Sequence, residues 1–482
     1  MKPQFINICT LIFTTICTTT AKAEINSISA DSGWDIYTGG IYRYGPSFIT
    51  HEDGSVDAWF AAPGQDYEDC ILHDENSSVT PMTVKSSTFI AQYIKIDRPF
   101  VGFSLYSPTW GKNGSESMRL SIYKWNASIT DTRNQTPIVT ATIQKYNDNA
   151  LLSVTTENYT ELPAGEYALV LDGATNTAGV YIYSKASSNF NGCVYIGTAK
   201  RTGAIRGHVL YDSKKLTQYW DQAAYRFSAD GGHSWSDDIM SLKPTRGTRD
   251  EFSICDPAVA YWNDYYYCGY TSTENPSGFE NHLYIARSDS PDGPWEKWNG
   301  SGWGGDSVEP IVEYTGKGGW GVGEPSIVVK DNTVYIYYTY DSGTPTTRVA
   351  TAKADDDNWP AALRQHGTAI TKTSGSDHCD VKYIDAAHRF LAVNTARRMT
   401  KDAYIQMWQS ADGINFTPVG DGRMQGILFP SGLHNCGLSG DALGHIDVNA
   451  HQFISFAYGL NAQGQSTWAS WKTFLQPIHI VY

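Results

Sequence analysis

The chain has 482 residues, 41% of them hydrophobic and 13% aromatic, so it can bury a large core in one or two domains. Its formal net charge is −14 and its lysines and arginines form no long run, which argues against nucleic acid and anionic membranes as partners. Only 18% of the residues are charged, whereas the 31 Tyr, 15 Trp and 44 Gly are typical of extracellular all-β proteins.

The N-terminus resembles a bacterial secretory signal. Met1-Lys2 precedes an apolar stretch over residues 5–17, and Ala21-Lys22-Ala23 has the small residues of a cleavage site. We therefore expect a signal peptide over residues 1–23 and a secreted or periplasmic protein. Cys17 raises a lipoprotein alternative, which the preceding Thr-Thr-Ile disfavours. The apolar stretch is too short to span a membrane.

Strand patterns dominate the rest of the chain, and no segment has a long helical periodicity. The first strand pair is predicted at residues 44–48 and 58–62. Residues 66–211 then break the spacing and carry their own short alternating strands, so we predict an inserted β-sandwich of jelly-roll type. Some aromatic side chains of this insertion could bind carbohydrate, although packing is the favoured role. They are Trp110, Trp125 and Tyr159.

Three later segments share one pattern, in which a carboxylate precedes a short apolar strand and an aromatic-rich strand follows. The carboxylates recur at intervals of about 60 residues, which indicates a repeat of sheet-sized units. They are Asp256 in Cys-Asp-Pro-Ala, Glu324 in Gly-Glu-Pro-Ser and Asp380 in His-Cys-Asp-Val. A last unit is predicted to open at residues 443–447. Together with the first strand pair, these units predict an all-β fold, a five-bladed β-propeller over residues 24–65 and 212–482.

Short hairpin signatures support this fold. Residues 228–235 fit the Ser-x-Asp-x-Gly-x-x-Trp Asp-box, residues 410–416 are a looser copy, and residues 288–295 resemble the equivalent turn of sugar-cleaving propellers. Such hairpins lock turns and carry no information on chemistry.

The three repeated acids are the candidate catalytic residues. Equivalent first strands of a propeller line its axis, so Asp256, Glu324 and Asp380 are expected to converge on one axial pocket. Cleavage of a glycosidic bond needs a proton donor and a second carboxylate, and a third acid can tune that pair by like-charge repulsion. The pattern therefore predicts acid/base chemistry on a sugar.

On these motifs the chain resembles the five-bladed propeller glycoside hydrolases, above all family 43 and its relatives in families 32, 62 and 117. The resemblance covers residues 35–65 and 215–482 and not the insertion. It implies that Asp256 is the general base of family 43 or the nucleophile of family 32, that Glu324 is the general acid, and that Asp380 tunes that acid and contacts the substrate. Those families usually place the second Asp before the Glu, so the order here leaves open whether Glu324 or Asp380 gives the proton.

Further residues are expected around the same pocket. Arg43 in the first blade would suit a carboxylated or sulfated sugar. His378 is a second candidate acid, because some family 117 relatives are thought to use histidine. The remaining candidates would bind hydroxyl groups or stack on sugar rings. They are Asp441 and Asn435, followed by Phe279, Trp298, Trp303 and Trp320.

His445, in Gly444-His445, resembles the axial histidine of many family 43 enzymes, which contacts a central calcium ion or its water. No cofactor is required for the predicted chemistry. A structural Ca²⁺ at the axis is implied by the resemblance alone, since the sequence offers no ring of oxygen ligands.

The leading hypothesis is a secreted glycoside hydrolase that acts on a plant or algal polysaccharide or its oligosaccharides, with inversion expected for a family 43 relative. One alternative is a sialidase-like exo-glycosidase, which would need three converging arginines that we cannot place on equivalent strands. The other alternative is a non-catalytic carbohydrate-binding propeller. The expected partner is carbohydrate and not nucleic acid, and no membrane span is expected.

Overall fold

The computed structural model describes residues 23–38, 42–112, 114–175, 177–211, 218–371, 377–428, 432–459 and 471–482. Except for Ala23, the expected signal peptide lies outside this part. Strands make up almost all regular structure of the described residues, which contain one short α-helix, α1 (Ile129–Arg133). No helix in the described ranges is long and apolar enough to cross a membrane.

The described strands follow in chain order. They are β1 (Ser27–Ala30), β2 (Trp34–Tyr37), β3 (Tyr44–Thr50), β4 (Val56–Pro63), β5 (Val79–Thr83), β6 (Ile90–Ile96), β7 (Gly102–Ser107), β8 (Glu116–Lys124), β9 (Val139–Tyr146), β10 (Ala150–Thr155), β11 (Gly165–Asp172), β12 (Gly179–Tyr183), β13 (Asn191–Ile196), β14 (Ala199–Arg201), β15 (Ala204–Ile205), β16 (Gly207–Leu210), β17 (Asp221–Ser228), β18 (Ile239–Leu242), β19 (Cys255–Trp262), β20 (Tyr265–Ser272), β21 (His282–Ser288), β22 (Glu296–Lys297), β23 (Gly321–Lys330), β24 (Thr333–Asp341), β25 (Thr346–Lys353), β26 (Arg364–Thr371), β27 (Asp377–Ile384), β28 (Arg389–Ala396), β29 (Tyr404–Ser410), β30 (Thr417–Arg423), β31 (Leu433–Leu438), β32 (His445–Ile446), β33 (Phe453–Tyr458) and β34 (Lys472–Val481).

Each propeller blade is an antiparallel sheet in which consecutive strands pair. Blade one contains β3, β4, β17 and β18, and blades two, three and four contain β19–β22, β23–β26 and β27–β30. The innermost strands β3, β19, β23, β27 and β31 contact one another in that order, and β31 contacts β3 in turn. The ring of blades is therefore closed, which confirms the predicted all-β, five-bladed propeller.

Blade five combines the two ends of the described chain. Its first three strands are β31, β33 and β34, and the N-terminal strands β1 and β2 pair with β34. The prediction that residues 443–447 open this blade is wrong, because the fully buried strand β31 does so. The predicted segment instead contains a turn, in which Asp441 Oδ1 accepts bonds from the N–H groups of Leu443 and His445. Only β32 remains there, in a short parallel pairing with β27.

The two Asp-box hairpins occupy the same place in blades one and four, the turn between the third and fourth strands. Asp230 Oδ1 accepts the Ser234 N–H at 2.8 Å. Asp412 Oδ1 accepts the N–H groups of Ile414 and Asn415, each at 2.8 Å. These bonds satisfy backbone groups that the sheet cannot pair, so the hairpins hold the outer edge of the blades.

A β-sandwich interrupts blade one between β4 and β17, as predicted. Its six-stranded sheet, in the order β14-β13-β6-β11-β8-β9, packs against two three-stranded sheets, β10-β7-β16 and β15-β12-β5. The core between the sheets is apolar and contains Phe100, Phe103 and Tyr167. Trp110 and Tyr159 are about half exposed, at 49% and 50%, so neither of these two aromatics is a core residue.

The insertion leaves and re-enters the propeller at one point. Asp66 bridges to Gln218 where the two crossing segments meet, and the Gly64 N–H donates to the Trp220 carbonyl at 2.5 Å. A Cβ at Gly64 would lie 1.8 Å from the Tyr219 carbonyl oxygen, so only glycine permits this close approach. The junction thereby fixes the position of the first residues of β17 in blade one.

Candidate active site

The five innermost strands share a backbone irregularity at the same level. In every blade the pairing between the inner strand and the second strand shifts register near the start of the inner strand, which marks a β-bulge. A bulge leaves a residue unpaired and re-aims its side chain. The bulged positions are Gly45, Asp256, Glu324, His378 and the pair His434-Asn435.

Four of these positions have a left-handed backbone. The φ angles are +60° at Gly45, +52° at Asp256, +50° at Glu324 and +49° at His378. Non-glycine residues rarely adopt this conformation, and those that do cluster at functional sites. A Cβ at Gly45 would lie 3.0 Å from the Asp256 Cα, which explains the glycine in blade one. Three side chains therefore project from equivalent positions, and the third is a histidine.

Asp380 does not belong to this set, contrary to the pattern in the sequence. It lies two residues beyond the bulge, on the regular part of β27. Its Oδ1 accepts bonds from Ser326 Oγ at 2.7 Å and Lys382 Nζ at 2.8 Å. Its Oδ2 accepts the Leu438 N–H at 2.7 Å. These contacts join blades three, four and five, so the geometry gives Asp380 a structural role, and His378 stands where the third acid was expected.

Asp256, Glu324 and His378 form one cluster on the axis. One oxygen or nitrogen atom of each lies within 4.8 Å of those of the others. Asn435 Nδ2 donates to Asp256 Oδ1 at 2.9 Å and meets His378 Nδ1 at 2.8 Å. Because an amide nitrogen only donates, Nδ1 accepts, and the proton of a neutral His378 ring lies on Nε2.

The contacts of the Glu324 carboxylate suit a negative charge. Its Oε1 accepts a bond from Arg398 Nη1 at 3.3 Å, and its Oε2 accepts the His378 N–H at 2.7 Å. Its own backbone N–H donates to Thr271 Oγ1 at 2.7 Å, which fixes the bulge. The spacing of the cluster would also suit a divalent cation, but the Arg398 guanidinium opposes a second positive charge beside Glu324.

Asp256 has the opposite environment. It is only 5% exposed. Burial raises the pKa of its carboxyl well above the usual range, and the negative charge of Glu324 raises it further, whereas Arg398 lowers it. The two neighbouring carboxyls thus differ in the protonation state that their surroundings favour. Burial favours the protonated form of Asp256, and the contacts of Glu324 favour its ionised form.

Asp256→Asn is expected to stabilise the fold at neutral pH. Because the folded pKa of Asp256 lies above the unfolded value of about 4, stability falls as the pH rises from about 4 through the folded pKa. Asparagine carries no such cost. The melting temperature should rise by roughly 2–5 °C at pH 7, and the gain should shrink toward pH 4. Calorimetry between pH 4 and 8 measures both effects.

Asp380→Asn is the matched control, since Asp380 is also buried on the axis but is paired with Lys382 at 2.8 Å. Removing this charge leaves a buried ammonium group without its ion pair, so the melting temperature should fall. Melting temperatures that shift in the same direction in both variants would contradict the assigned difference between the two aspartates.

The cluster opens into a pocket of about 500 Å³. Asp256 and Glu324 line this pocket, whereas His378 and Asp380 are not among its lining residues. A bound molecule would therefore touch the two carboxyls directly, and His378 would act on it through them. Aromatic rings form much of the wall, as is typical of sugar sites. The aromatic lining residues are Tyr42, Tyr44, Tyr219, Trp220 and Trp320, and the other charged ones are Asp221, Asp341 and Arg398.

Trp320 lies on the pocket, as its predicted binding role requires. Its side chain is 46% exposed, and its ring centroid is 5.0 Å from that of Phe279, which is 42% exposed. The Asn281 side-chain amide donates to the Trp320 carbonyl at 2.8 Å and holds the loop. Of the other predicted platforms, Trp298 and Trp303 pack on each other at 5.4 Å, and Trp298 is buried.

Arg43 faces away from the pocket, contrary to its predicted role. Its Nε donates to Asp238 Oδ2 at 3.1 Å, and its Nη1 donates to the Tyr42 carbonyl at 2.7 Å. Side chains alternate along an extended segment, so the neighbours Tyr42 and Tyr44 reach the pocket and Arg43 does not. Its guanidinium is used within the fold and not for an anionic sugar.

Asp441 and His445 lie at the other end of the propeller. His445 pairs with the end of β27, roughly 16 Å along the strand from His378. Its Nε2 donates to the Val329 carbonyl at 2.8 Å, and its Nδ1 lies 2.9 Å from Asp385 Oδ2. A ring nitrogen that donates its proton cannot bind a metal ion. Nε2 is thus excluded and Nδ1 is already in contact with Asp385, so His445 does not fit the expected calcium contact, and Asp441 only caps its turn.

The sequence alone did not point to Arg398, Asp221 or Tyr42. Arg398 follows the end of β28, and Asp221 begins β17. In an antiparallel blade the end of the second strand and the start of the third lie at the same edge as the start of the first. The Arg397-Arg398 pair directly after a buried strand is the signal that could have identified the guanidinium of the pocket.

No family model matches the chain, and no curated protein matches it. Solved structures match part of it. A family 117 glycoside hydrolase of the marine bacterium Zobellia galactanivorans is 17% identical with a TM-score of 0.38, over 54% of this chain and 70% of that one. An α-L-arabinofuranosidase of Podospora anserina, solved with cellotriose, is 10% identical with a TM-score of 0.39, over 54% and 83%. An endo-1,4-β-xylanase of Bacteroides thetaiotaomicron is 13% identical with a TM-score of 0.39, over 54% and 86%.

Glycoside hydrolases of families 117, 62 and 43, three of the four families that the sequence motifs resemble, all occur among these structures.

Proposed function

We propose that this protein is a glycoside hydrolase that acts on a plant or algal polysaccharide or its oligosaccharides. The observation that carries the proposal is the pairing of Asp256 and Glu324, within 4.8 Å of each other, at the base of an aromatic-walled pocket on the propeller axis. Two carboxyls of unlike character at one pocket are what cleavage of a glycosidic bond requires.

The environments of the two groups support their roles. Asp256, buried and favoured in its protonated form, gives its proton to the leaving oxygen. Glu324, ionised beside Arg398, attacks the anomeric carbon as the glycosidic C–O bond breaks. Water then gives a proton to Asp256 while its oxygen displaces Glu324 from the anomeric carbon. The proton and the carboxylate are both restored at the end of the cycle.

The separation of the carboxyls favours retention of configuration. An inverting pair stands about 6.5–9.5 Å apart to admit water, whereas a retaining pair stands about 5–5.5 Å apart. The nearest oxygens of Asp256 and Glu324 lie within 4.8 Å of each other, which leaves little room for a water between the two carboxyls. This proposal differs from the inversion expected of a family 43 relative.

His378, Asn435 and Arg398 are positioning residues in this scheme. Asn435 connects Asp256 to His378, and Arg398 with the His378 N–H orients Glu324. The sialidase-like alternative finds less support, because Arg398 is the one arginine among the described residues that line the pocket.

The proposal is tested by measuring reducing sugar released from a panel of polysaccharides, with arabinan, xylan and agarose as neutral members and polygalacturonate and carrageenan as anionic members. We expect the wild-type protein to release sugar from at least one of them and the Glu324→Gln variant to release none. If a polysaccharide retards the wild-type protein in affinity electrophoresis but no reducing sugar is released, the non-catalytic carbohydrate-binding alternative would be supported instead.

A further inference from the structure

Negative charge dominates the pocket outside the pair of reacting groups. Asp221 and Asp341 line it in addition to Asp256 and Glu324. Arg398 is the one cationic side chain among the described lining residues, and its guanidinium already contacts Glu324 at 3.3 Å. The described wall therefore carries more acidic than basic side chains, which disfavours a carboxylate or sulfate on a substrate.

Asp221 is built into this wall. It is the first residue of β17, directly after Trp220, so the junction of the insertion fixes its position. Its Oδ1 accepts the Tyr42 hydroxyl at 2.6 Å, and its Oδ2 accepts the Ser253 hydroxyl at 3.1 Å. Tyr44 is a third side-chain hydrogen-bond partner of this carboxylate. Because a carboxylate has about four lone-pair sites, Asp221 can still accept a hydrogen bond from a molecule in the pocket.

Burial raises the pKa of Asp221 to about 6. The group is therefore mostly ionised above pH 6, and an ionised carboxylate only accepts hydrogen bonds. A sugar hydroxyl can donate to it, whereas the carboxylate of a uronic acid or a sulfate ester presents acceptors and a like charge. Asp341 places a second carboxyl group on the same wall, and its Oδ1 accepts the Gly343 N–H at 2.7 Å.

We propose that the sugar held in this pocket is a neutral one and that Asp221 is a specificity residue, which binds one of its hydroxyl groups and excludes uronic and sulfated sugars. The proposal rests on the proposed function and names the substrate class of the same site. It replaces the expectation of an anionic sugar at Arg43, whose guanidinium is held by Asp238.

Kinetics of the Asp221→Asn variant on a neutral polysaccharide of the panel test the binding role. We expect KM to rise about tenfold while kcat stays within threefold, since a ground-state hydroxyl contact is lost. The matched control is Asp385→Asn, which changes a carboxylate beside His445 at the far end of the propeller. This control should leave both constants unchanged. An unchanged KM in Asp221→Asn would overturn the role of Asp221.

Affinity electrophoresis tests the substrate class without relying on turnover. Wild-type protein should be retarded by neutral members of the panel and not by polygalacturonate or carrageenan at pH 7.5. Retardation by the anionic members only, or release of sugar from them, would overturn the proposal even if the protein is a glycoside hydrolase. Retardation by neutral members without hydrolysis would support it while the proposed function fails.

Asp341→Asn gives a second variant in case Asp221→Asn does not fold, as judged from its melting temperature. Asp341 is partly exposed at the end of β24, so its replacement disturbs less of the core. With this charge removed, polygalacturonate should retard the variant measurably, whereas it does not retard the wild-type protein. If polygalacturonate retards neither folded variant, exclusion by charge is contradicted.

Discussion

Glu324→Gln is expected to lower kcat by about 10⁴-fold on every glycoside that the wild-type protein cleaves. Glutamine keeps the size of the side chain and can still accept the His378 N–H, but its amide cannot attack the anomeric carbon. In the truncated variant Glu324→Ala, azide or formate should restore turnover, because the space left beside Arg398 admits a small anion that acts as the nucleophile. Turnover of an aryl glycoside with and without azide, followed by analysis of the anomer formed, measures the effect.

Glu296→Gln is the matched control for this substitution. Glu296 is an exposed residue of β22, the outermost strand of blade two, and it pairs with Arg287 at 3.0 Å. It is not among the residues that line the pocket. Its replacement should change kcat less than twofold. If Glu324→Gln kept more than about one per cent of the activity, or if azide rescued only the Asp256 variant, Glu324 would not be the nucleophile.

Asp256→Asn is expected to lower kcat on polysaccharide by roughly 10³-fold, while the first step on an aryl glycoside with an acidic leaving group, seen as a burst of released nitrophenolate, is largely kept and only the later attack of water is slowed. A nitrophenolate leaves without a proton, so the loss of the donor matters little for it. The pH profile should change as well. Wild-type kcat/KM should fall at alkaline pH as Asp256 loses its proton, and this limb should disappear in the variant.

Asp385→Asn serves as the control for the change of Asp to Asn, and both substrates should be cleaved normally. The resemblance to families 43 and 32 implies the reverse assignment, with Asp256 as base or nucleophile and Glu324 as acid. Under that assignment Asp256→Asn would lose activity on both substrates alike, and Glu324→Gln would keep activity on the nitrophenyl glycoside. The two variants and the two substrates therefore separate the assignments.

Much of the fold could be predicted from local patterns. Apolar and aromatic strands with turn residues between them recur in blade-sized units, and the Asp-box residues form the same bonds wherever the hairpin occurs. The insertion was visible as a break in this period. Asp256 and Glu324 could be found because each precedes Pro at the start of an inner strand, and the bulge lies at that dipeptide in both blades.

The same pattern failed in blades four and five. In blade four the sequence presents an acid, Asp380, two residues after the bulge, and the register places His378 at the equivalent position. In blade five the strand β31 has no acid at all, and Asn435 supplies the contact between Asp256 and His378. Residues two apart lie on the same face of a strand. The alternation of side chains along β27 therefore could not show whether His378 or Asp380 occupies the bulge.

What the sequence determined by itself is therefore the repeat, the all-β class, the inserted sandwich and two of the residues on the axis, because each depends on interactions between near neighbours in the chain. Only the tertiary structure decided which side chains meet in the pocket. Arg398, Asp221 and Tyr42 come from three separate parts of the chain, and the closure of the ring brings them to one end of the axis. The pKa of Asp256 follows from the same closure, because burial and a neighbouring charge exist only once the blades have packed.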